Sequence, residues 1–125
     1  MVIILICRFV RSDRLEHFLQ TYRKQTPINN PAFRGETLTQ VNDETRLPLG
    51  LRGFMLKKPG SVTVLNVAKW DSWEAFAEQF AEELKKEAEQ GFDSEIEIAP
   101  RQRVVLNVIE DHPVQNDTNK ALFQE

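Results

Sequence analysis

Asn66 and Trp70 are the residues of this sequence whose types and spacing best suit chemistry. Both lie on a predicted strand over Ser61–Trp70, and because side chains two positions apart share a face of a strand, both belong to one stripe. The rest of that stripe is aliphatic, so Asn66 places one amide among apolar side chains. A buried amide without a partner costs about 1 to 3 kcal/mol. Asn66 should therefore bond either a neighbouring backbone group or buried water, or a carbonyl or phenol of a ligand.

An amphipathic helix is predicted immediately after this strand. Asp71 is the predicted N-cap, and Glu74, three residues on, closes a capping box. Trp70 then either packs at the start of the helix as a core aromatic or walls a ligand site. Apolar side chains recur along the helix at its natural spacing, at Trp73, Phe76, Ala77, Phe80, Leu84 and Ala88. The helix therefore turns an aromatic face toward the sheet.

The remaining predicted elements give two units of similar order, each with two strands and one helix. Alternation of apolar residues predicts strands over 2–10, 33–42, 61–70 and 104–109, and helical spacing predicts helices over 13–25 and 73–90. An Asp13-x-x-Glu16 box is the predicted start of the first helix. The order strand, helix, strand, strand, helix, strand predicts an α+β, ferredoxin-like domain over 1–110, with an antiparallel sheet and both helices on one face. A polar C-terminal tail is predicted over 111–125.

Three of the predicted strands are apolar on both faces, although two helices can cover only one face of the sheet. The simplest way to cover the second face is contact with the same face of another copy, because a contact between two identical faces is complete in a dimer. We therefore expect a homodimer through the sheet face. The loop 43–60 carries unusual apolar content, and we expect it to cover the pocket mouth or to cross to the partner subunit.

Charge and composition exclude several classes of partner. The net charge of −3, without a basic cluster, argues against nucleic acid, and no apolar run approaches the roughly 20 residues that a membrane-spanning helix needs. The start of the chain has no basic segment or cleavage pattern of a signal peptide, so we expect a cytoplasmic protein. Cys7 is the single cysteine and lies in an apolar run, which indicates a small buried side chain. No motif for a metal or a nucleotide is present.

The stretch VTVLNVAKWDSWEAF resembles the antibiotic biosynthesis monooxygenase-like family of the dimeric α/β-barrel superfamily, and the resemblance covers roughly 2–109. That family includes cofactor-free quinone-forming monooxygenases and haem degraders. The resemblance implies that Asn66 and Trp70 correspond to the Asn and Trp that the quinone-forming members use on this strand. Those members also use an aromatic hydroxyl in the following helix, where this chain has Phe76, and an arginine for which Arg101 or Arg103 would have to serve.

Haem-degrading members use an Asn in the first strand and a Trp and a His in the second helix. The first strand here carries Cys7 and Arg8, and the second helix has no His. The resemblance therefore favours a cofactor-independent monooxygenase-like protein that acts on small phenolic or polyketide-like aromatic substrates, with no cofactor and no metal. Asn66 and Trp70 are its expected catalytic residues, and the expected substrate-binding residues are Phe76, Phe80, Trp73, Arg101 and Arg103.

The alternative is a non-catalytic, dimeric ligand-binding or stress-related module of the same fold, whose pocket is filled by Phe76, Phe80 and Trp73. Pocket volume separates these two functions. A cleft of about 300 Å³ or more beside Asn66 favours ligand binding, whereas packed side chains there favour the structural role.

Overall fold

The computed structural model describes residues 1–42, 46–51 and 57–114. Four strands form one sheet in the order β2-β3-β1-β4, and all neighbouring strands are antiparallel. The strands are β1 (Val2–Arg11), β2 (Phe33–Gln40), β3 (Ser61–Trp70) and β4 (Gln102–Asn107), and the helices are α1 (Leu15–Arg23), α2 (Trp73–Gln79) and α3 (Ala81–Gln90). This arrangement confirms the predicted α+β, ferredoxin-like fold. The last strand begins and ends two residues earlier than predicted.

The core lies between the sheet and the helices. Alternate residues of β1 point to this side, with Val2, Ile4 and Ile6 buried beside the side chains of α2. Trp70 is completely buried at the end of β3. Its ring lies 5.1 Å from Phe33, 5.8 Å from Phe76 and 6.2 Å from Phe80, measured between ring centroids. The strand-to-helix junction that the sequence predicts is thus also the centre of the aromatic packing.

The predicted caps of the helices are wrong. Ser72, and not Asp71, caps α2, because its hydroxyl accepts a hydrogen bond of 3.2 Å from the Ala75 amide. Asp71 instead accepts two hydrogen bonds from Arg34, of 2.7 and 2.8 Å, and this paired geometry holds it away from the helix start. Arg34 also lowers the pKa of Asp71. The tertiary partner therefore decides which of two adjacent capping residues is used.

The first helix begins later than predicted. A short 3-10 turn occupies Ser12–Arg14, so Asp13 lies inside the turn, and α1 starts at Leu15 without a side-chain cap. The second predicted helix is divided at Phe80, whose backbone angles of −110° and 24° are not helical. The division reflects packing, because it lets the Phe80 ring contact both Phe76, at 5.0 Å, and Trp70.

The other side of the sheet is an open face. The register places Val104 opposite Leu5 on this side, and Val104 is 50% exposed. We define the open-face patch as the apolar residues of β1, β3 and β4 on this side that are not buried, namely Ile3, Leu5, Leu65, Val67, Val104 and Leu106. Cys7 is also on this side but is buried, as predicted, and burial raises the pKa of its thiol. The patch leaves apolar surface without a cover in the single chain.

The structure describes part of the apolar loop 43–60. Leu49 and Leu51 form a short 3-10 turn and are 80% and 68% exposed. Phe54 and Met55 lie outside the described residues, as does the tail from 115 onward. Within the described parts of the chain, no helix is long and apolar enough to cross a membrane.

Candidate functional site

A cleft of about 470 Å³ opens between the helix side of the sheet and the helices. One end is aromatic and is lined by Trp70, Phe76 and Phe80. The other end is polar and is lined by charged or hydroxyl-bearing side chains, namely Arg8, Tyr22, Glu36, Arg101 and Arg103. The volume exceeds the predicted threshold and falls in the range of small-molecule sites. The aromatic residues therefore line a space and do not fill it.

The cleft gathers most of the predicted site residues. Trp70, Phe76, Phe80, Arg101 and Arg103 all contribute to its walls. Asn66 lies one layer deeper and is 1% exposed. Trp73 is 52% exposed and is not among the residues that line the cleft, because its position on α2 turns it to solvent. The structure therefore does not bring Trp73, a predicted substrate-binding residue, into the cleft.

The Asn66 amide has unused hydrogen-bonding capacity. It lies opposite Ile6 of β1 and Leu38 of β2, both apolar. Neither its oxygen nor its nitrogen bonds any described residue, and the Trp70 indole nitrogen is also without a partner. A neighbouring backbone group, one of the partners that the sequence left open for Asn66, is thus not found among the described residues. Buried polar groups are nearly always hydrogen-bonded, so this amide is available to a ligand or to water.

Tyr22 and Glu36 form a pair at the polar end that sequence reasoning missed. The Tyr22 hydroxyl donates a hydrogen bond of 2.6 Å to the Glu36 carboxylate. Tyr22 comes from the last turn of α1, and Glu36 comes from β2, where it pairs with Ala68 of β3. This pair brings an aromatic hydroxyl and a carboxylate to the wall of the cleft. The available signal was an acidic residue, Glu36, on the same face of β2 as Leu38.

Burial, followed by the hydrogen bond to Glu36, raises the pKa of Tyr22 to about 12. The nearby Asn66 amide acts in the opposite direction, although the two side chains make no hydrogen bond in the structure. Tyr22 is therefore a neutral donor at physiological pH. It cannot serve as the base of the site, whereas the carboxylate it contacts can.

The titration of Tyr22 provides a direct check, because it is the only tyrosine of the chain. We expect tyrosinate absorbance to appear with a midpoint near pH 12, the pKa of Tyr22 in the folded protein. Glu36→Gln should move this midpoint toward the ordinary value of about 10, because the nearby negative charge is removed. Since folding raises this pKa, the stability that Tyr22 contributes is complete below the unfolded pKa and is lost as pH rises through the folded one. Equal midpoints in native protein and variant would contradict the role of Glu36.

Two of the three cleft arginines are already paired. Arg103 donates two hydrogen bonds of 2.8 Å to Glu87 of α3, which lowers the pKa of Glu87. Arg101 bonds the buried carboxylate of Glu97 at 3.0 to 3.1 Å. Arg103 therefore links β4 to α3, and Arg101 links the start of β4 to the segment that precedes it. Arg8, which sequence reasoning did not place among the binding residues, has no such partner.

Comparison with known proteins supports the fold. No family model matches the chain, and no curated protein sequence matches it. Among solved structures, the chain is similar to a crystal structure of a variant of MhuD with two manganese protoporphyrin IX molecules bound per active site. The TM-score is 0.57 at 15% sequence identity, and the match covers 91% of this chain and 100% of that one. At this sequence identity the likeness concerns the fold alone.

Proposed function

We propose that this protein is a cofactor-independent monooxygenase of the antibiotic biosynthesis monooxygenase-like family, which oxidises a small phenolic or polyketide-like aromatic molecule in the cleft. The observation that carries the proposal is the unpartnered Asn66 amide, buried beside the Tyr22–Glu36 pair at the polar end of an aromatic-walled cleft. Aromatic walls suit a flat ring, and the polar end suits its oxygen.

The substrate ring lies in the open space at the aromatic end of the cleft, against the wall formed by Trp70, Phe76 and Phe80, with its oxygen directed to the polar end. Tyr22 moves aside as the substrate enters, and the substrate oxygen takes the place of the Tyr22 hydroxyl beside Asn66. Glu36, released from Tyr22, accepts the acidic proton of the substrate. Asn66 then donates a hydrogen bond to the resulting anion, in a site where water is excluded and such a bond is strong.

The bound anion reduces oxygen directly. One electron passes from the anion to O₂, and the radical pair recombines to form a carbon–oxygen bond. The peroxide takes a proton and loses water, so one oxygen atom appears in the product carbonyl and the other in water. The protein holds and desolvates the anion, and O₂ is the oxidant.

Oxygen consumption tests this proposal. The protein, stripped of metal with a chelator, is given anthrone-like and hydroquinone substrates, and we expect O₂ to be consumed in a one-to-one ratio with substrate. Activity that disappears with the metal would contradict the proposal. Substrate binding without oxygen consumption would support the non-catalytic ligand-binding module instead.

The cleft does not fit a haem, which is related to the porphyrin bound in the MhuD structure. Haem iron takes an axial ligand from His, Cys, Met or Tyr. Among the described residues that line the larger cleft, Tyr22 is the only one of these types, and burial and Glu36 raise its pKa to about 12, which disfavours the tyrosinate that would bind iron. His17 lines only an adjoining cavity of about 290 Å³ and is exposed. The proposed reaction therefore involves no haem.

Asn66→Leu distinguishes a ligand-binding amide from a structural one. If the amide serves a ligand, this variant should be as stable as the native protein or more stable, because removing an unpaired buried polar group removes its desolvation cost of about 1 to 3 kcal/mol. Its affinity for a phenolic ligand should fall about tenfold, the usual value of one lost hydrogen bond. Chemical unfolding and fluorescence titration measure the two effects. Lower stability with unchanged affinity would show that Asn66 is structural.

We also propose that the protein is a homodimer through the open-face patch, which would otherwise expose its apolar side chains to water. Val104 and Val105 provide a matched test, since they are 50% and 47% exposed on opposite faces of β4. Val104→Asp should give a monomeric mass by light scattering, because it buries a charge without a partner in the interface. Val105→Asp should leave the dimer intact. A monomeric native protein at micromolar concentration would overturn the proposal.

A further inference from the structure

Arg8 holds an unusual position for a charged side chain. It lies on the central strand β1, on the side that faces the helices, and it lines both the larger cleft and the adjoining cavity. Its guanidinium carbon lies 5.4 Å from the centre of the Phe18 ring. Its Nε is buried without a hydrogen-bond partner, and no ion pair to it is found among the described residues. Arg8 is thus a cation in the cleft that pairs with no acidic side chain of the described residues.

The neighbouring acids are committed elsewhere. Glu36 accepts the Tyr22 hydroxyl at 2.6 Å, and Glu97 is bonded to Arg101. Burial, followed by the charge of Arg101, lowers the pKa of Arg8 to about 10, which means that these acids do not compensate its desolvation. A guanidinium remains charged at physiological pH and presents a planar set of donors that matches a carboxylate. The missing partner is therefore an anion.

The register indicates where this anion would lie relative to the rest of the ligand. Arg8 pairs with Val64, and Asn66 is the next residue on the same face of β3, so the two side chains are diagonal neighbours. Trp70 lies opposite Val2, six residues along β1 from Arg8, or about 20 Å between backbone positions at about 3.3 Å per residue. Arg8 and Asn66 thus share the polar end, and the rings share the other end.

We propose that Arg8 binds a carboxylate of the ligand, so that the natural ligand is a planar aromatic acid whose carboxylate lies next to its phenolic or keto oxygen. This inference rests on the proposed function, because it assigns the substrate class of the same cleft. The carboxylate bonds Arg8, the neighbouring oxygen lies beside Asn66, and the hydrocarbon rings extend toward Trp70. The carboxylate and the Arg8 guanidinium neutralise each other at a position where the Arg8 Nε is already buried from solvent.

Binding of three matched ligands tests this inference. The probes are a hydroxynaphthoic acid with its carboxyl group ortho to the hydroxyl, the methyl ester of that acid, and the unsubstituted naphthol, each titrated against tryptophan fluorescence. The native protein should prefer the acid to the ester by roughly 10- to 100-fold, the range typical of hydrogen bonds to a charged partner. Arg8→Met should abolish this preference and leave the affinity for the ester unchanged, which also shows that the variant is folded.

Arg14→Met is the control, because Arg14 lies in the exposed 3-10 turn away from the cleft. It should keep the preference for the acid. Equal affinity of native protein for acid and ester would overturn the inference and leave the proposed function standing. A preference that survives in Arg8→Met would overturn it as well. Failure of all three probes to bind the native protein would count against the proposed function and, with it, against this inference.

Discussion

Glu36→Gln is expected to lower the rate of oxygen consumption about 100- to 10,000-fold, the range that a positioned general base contributes. Glutamine keeps the shape of the side chain and can still accept the Tyr22 hydrogen bond, but it cannot take a proton from the substrate. Glu36 lines the cleft and accepts a hydrogen bond of 2.6 Å from Tyr22. The loss should therefore appear in kcat, with ligand affinity little changed.

Glu83→Gln is the matched control, because Glu83 lines the same cleft from α3 but makes no hydrogen bond among the described residues. Its rate should equal that of the native protein. If Glu36→Gln and Glu83→Gln retained the same activity, the base would have to be another group. Greater activity of Glu36→Gln at high pH, where hydroxide in water can replace the base, would support the assignment.

Trp70→Ala is expected to destabilise the fold by about 3 to 5 kcal/mol, the usual cost of removing a large aromatic side chain from a core. Trp70 is completely buried and contacts three other aromatic rings, so its removal leaves a cavity that the sheet and α2 cannot close. The free energy of unfolding, measured with denaturant, reports this loss.

Trp73 provides the comparison within the same chain. Trp73→Ala removes an identical side chain three residues later, but Trp73 is 52% exposed, so its loss should cost less than about 1 kcal/mol. Similar losses for the two variants would mean that the aromatic core is not centred on Trp70. Trp70→Phe, which keeps an apolar ring, should retain much of the stability and separate the packing role from the role in the cleft.

The strands were predictable from the sequence because their apolar alternation is a local signal. Strand β3 has the same bounds in sequence and structure, and β1 differs by one residue at its end. The alternation also placed Asn66 and Trp70 on the stripe that faces the helices. The order of elements was then enough to give the fold, since a split pair of strand-helix-strand units has few compact arrangements.

The caps and the polar end of the cleft could not be predicted in the same way. Asp71 and Ser72 are both good capping residues, and the choice depends on Arg34, which the fold brings close from a distant position in the chain. Tyr22 and Glu36 are 14 residues apart on different elements. They meet only because β2 is placed at the edge beside β3. Such contacts depend on the tertiary structure and leave no periodic pattern in the sequence.

The most direct test of the account is a crystal structure of the protein with an aromatic hydroquinone bound. We predict that the ring lies against Trp70, Phe76 and Phe80, that Tyr22 has moved, and that a ligand oxygen lies about 2.7 to 3.2 Å from the Asn66 amide nitrogen. A ligand bound outside this cleft would contradict the account. So would an Asn66 amide that bonds a backbone group or a buried water, and not the ligand, while the ligand occupies the cleft.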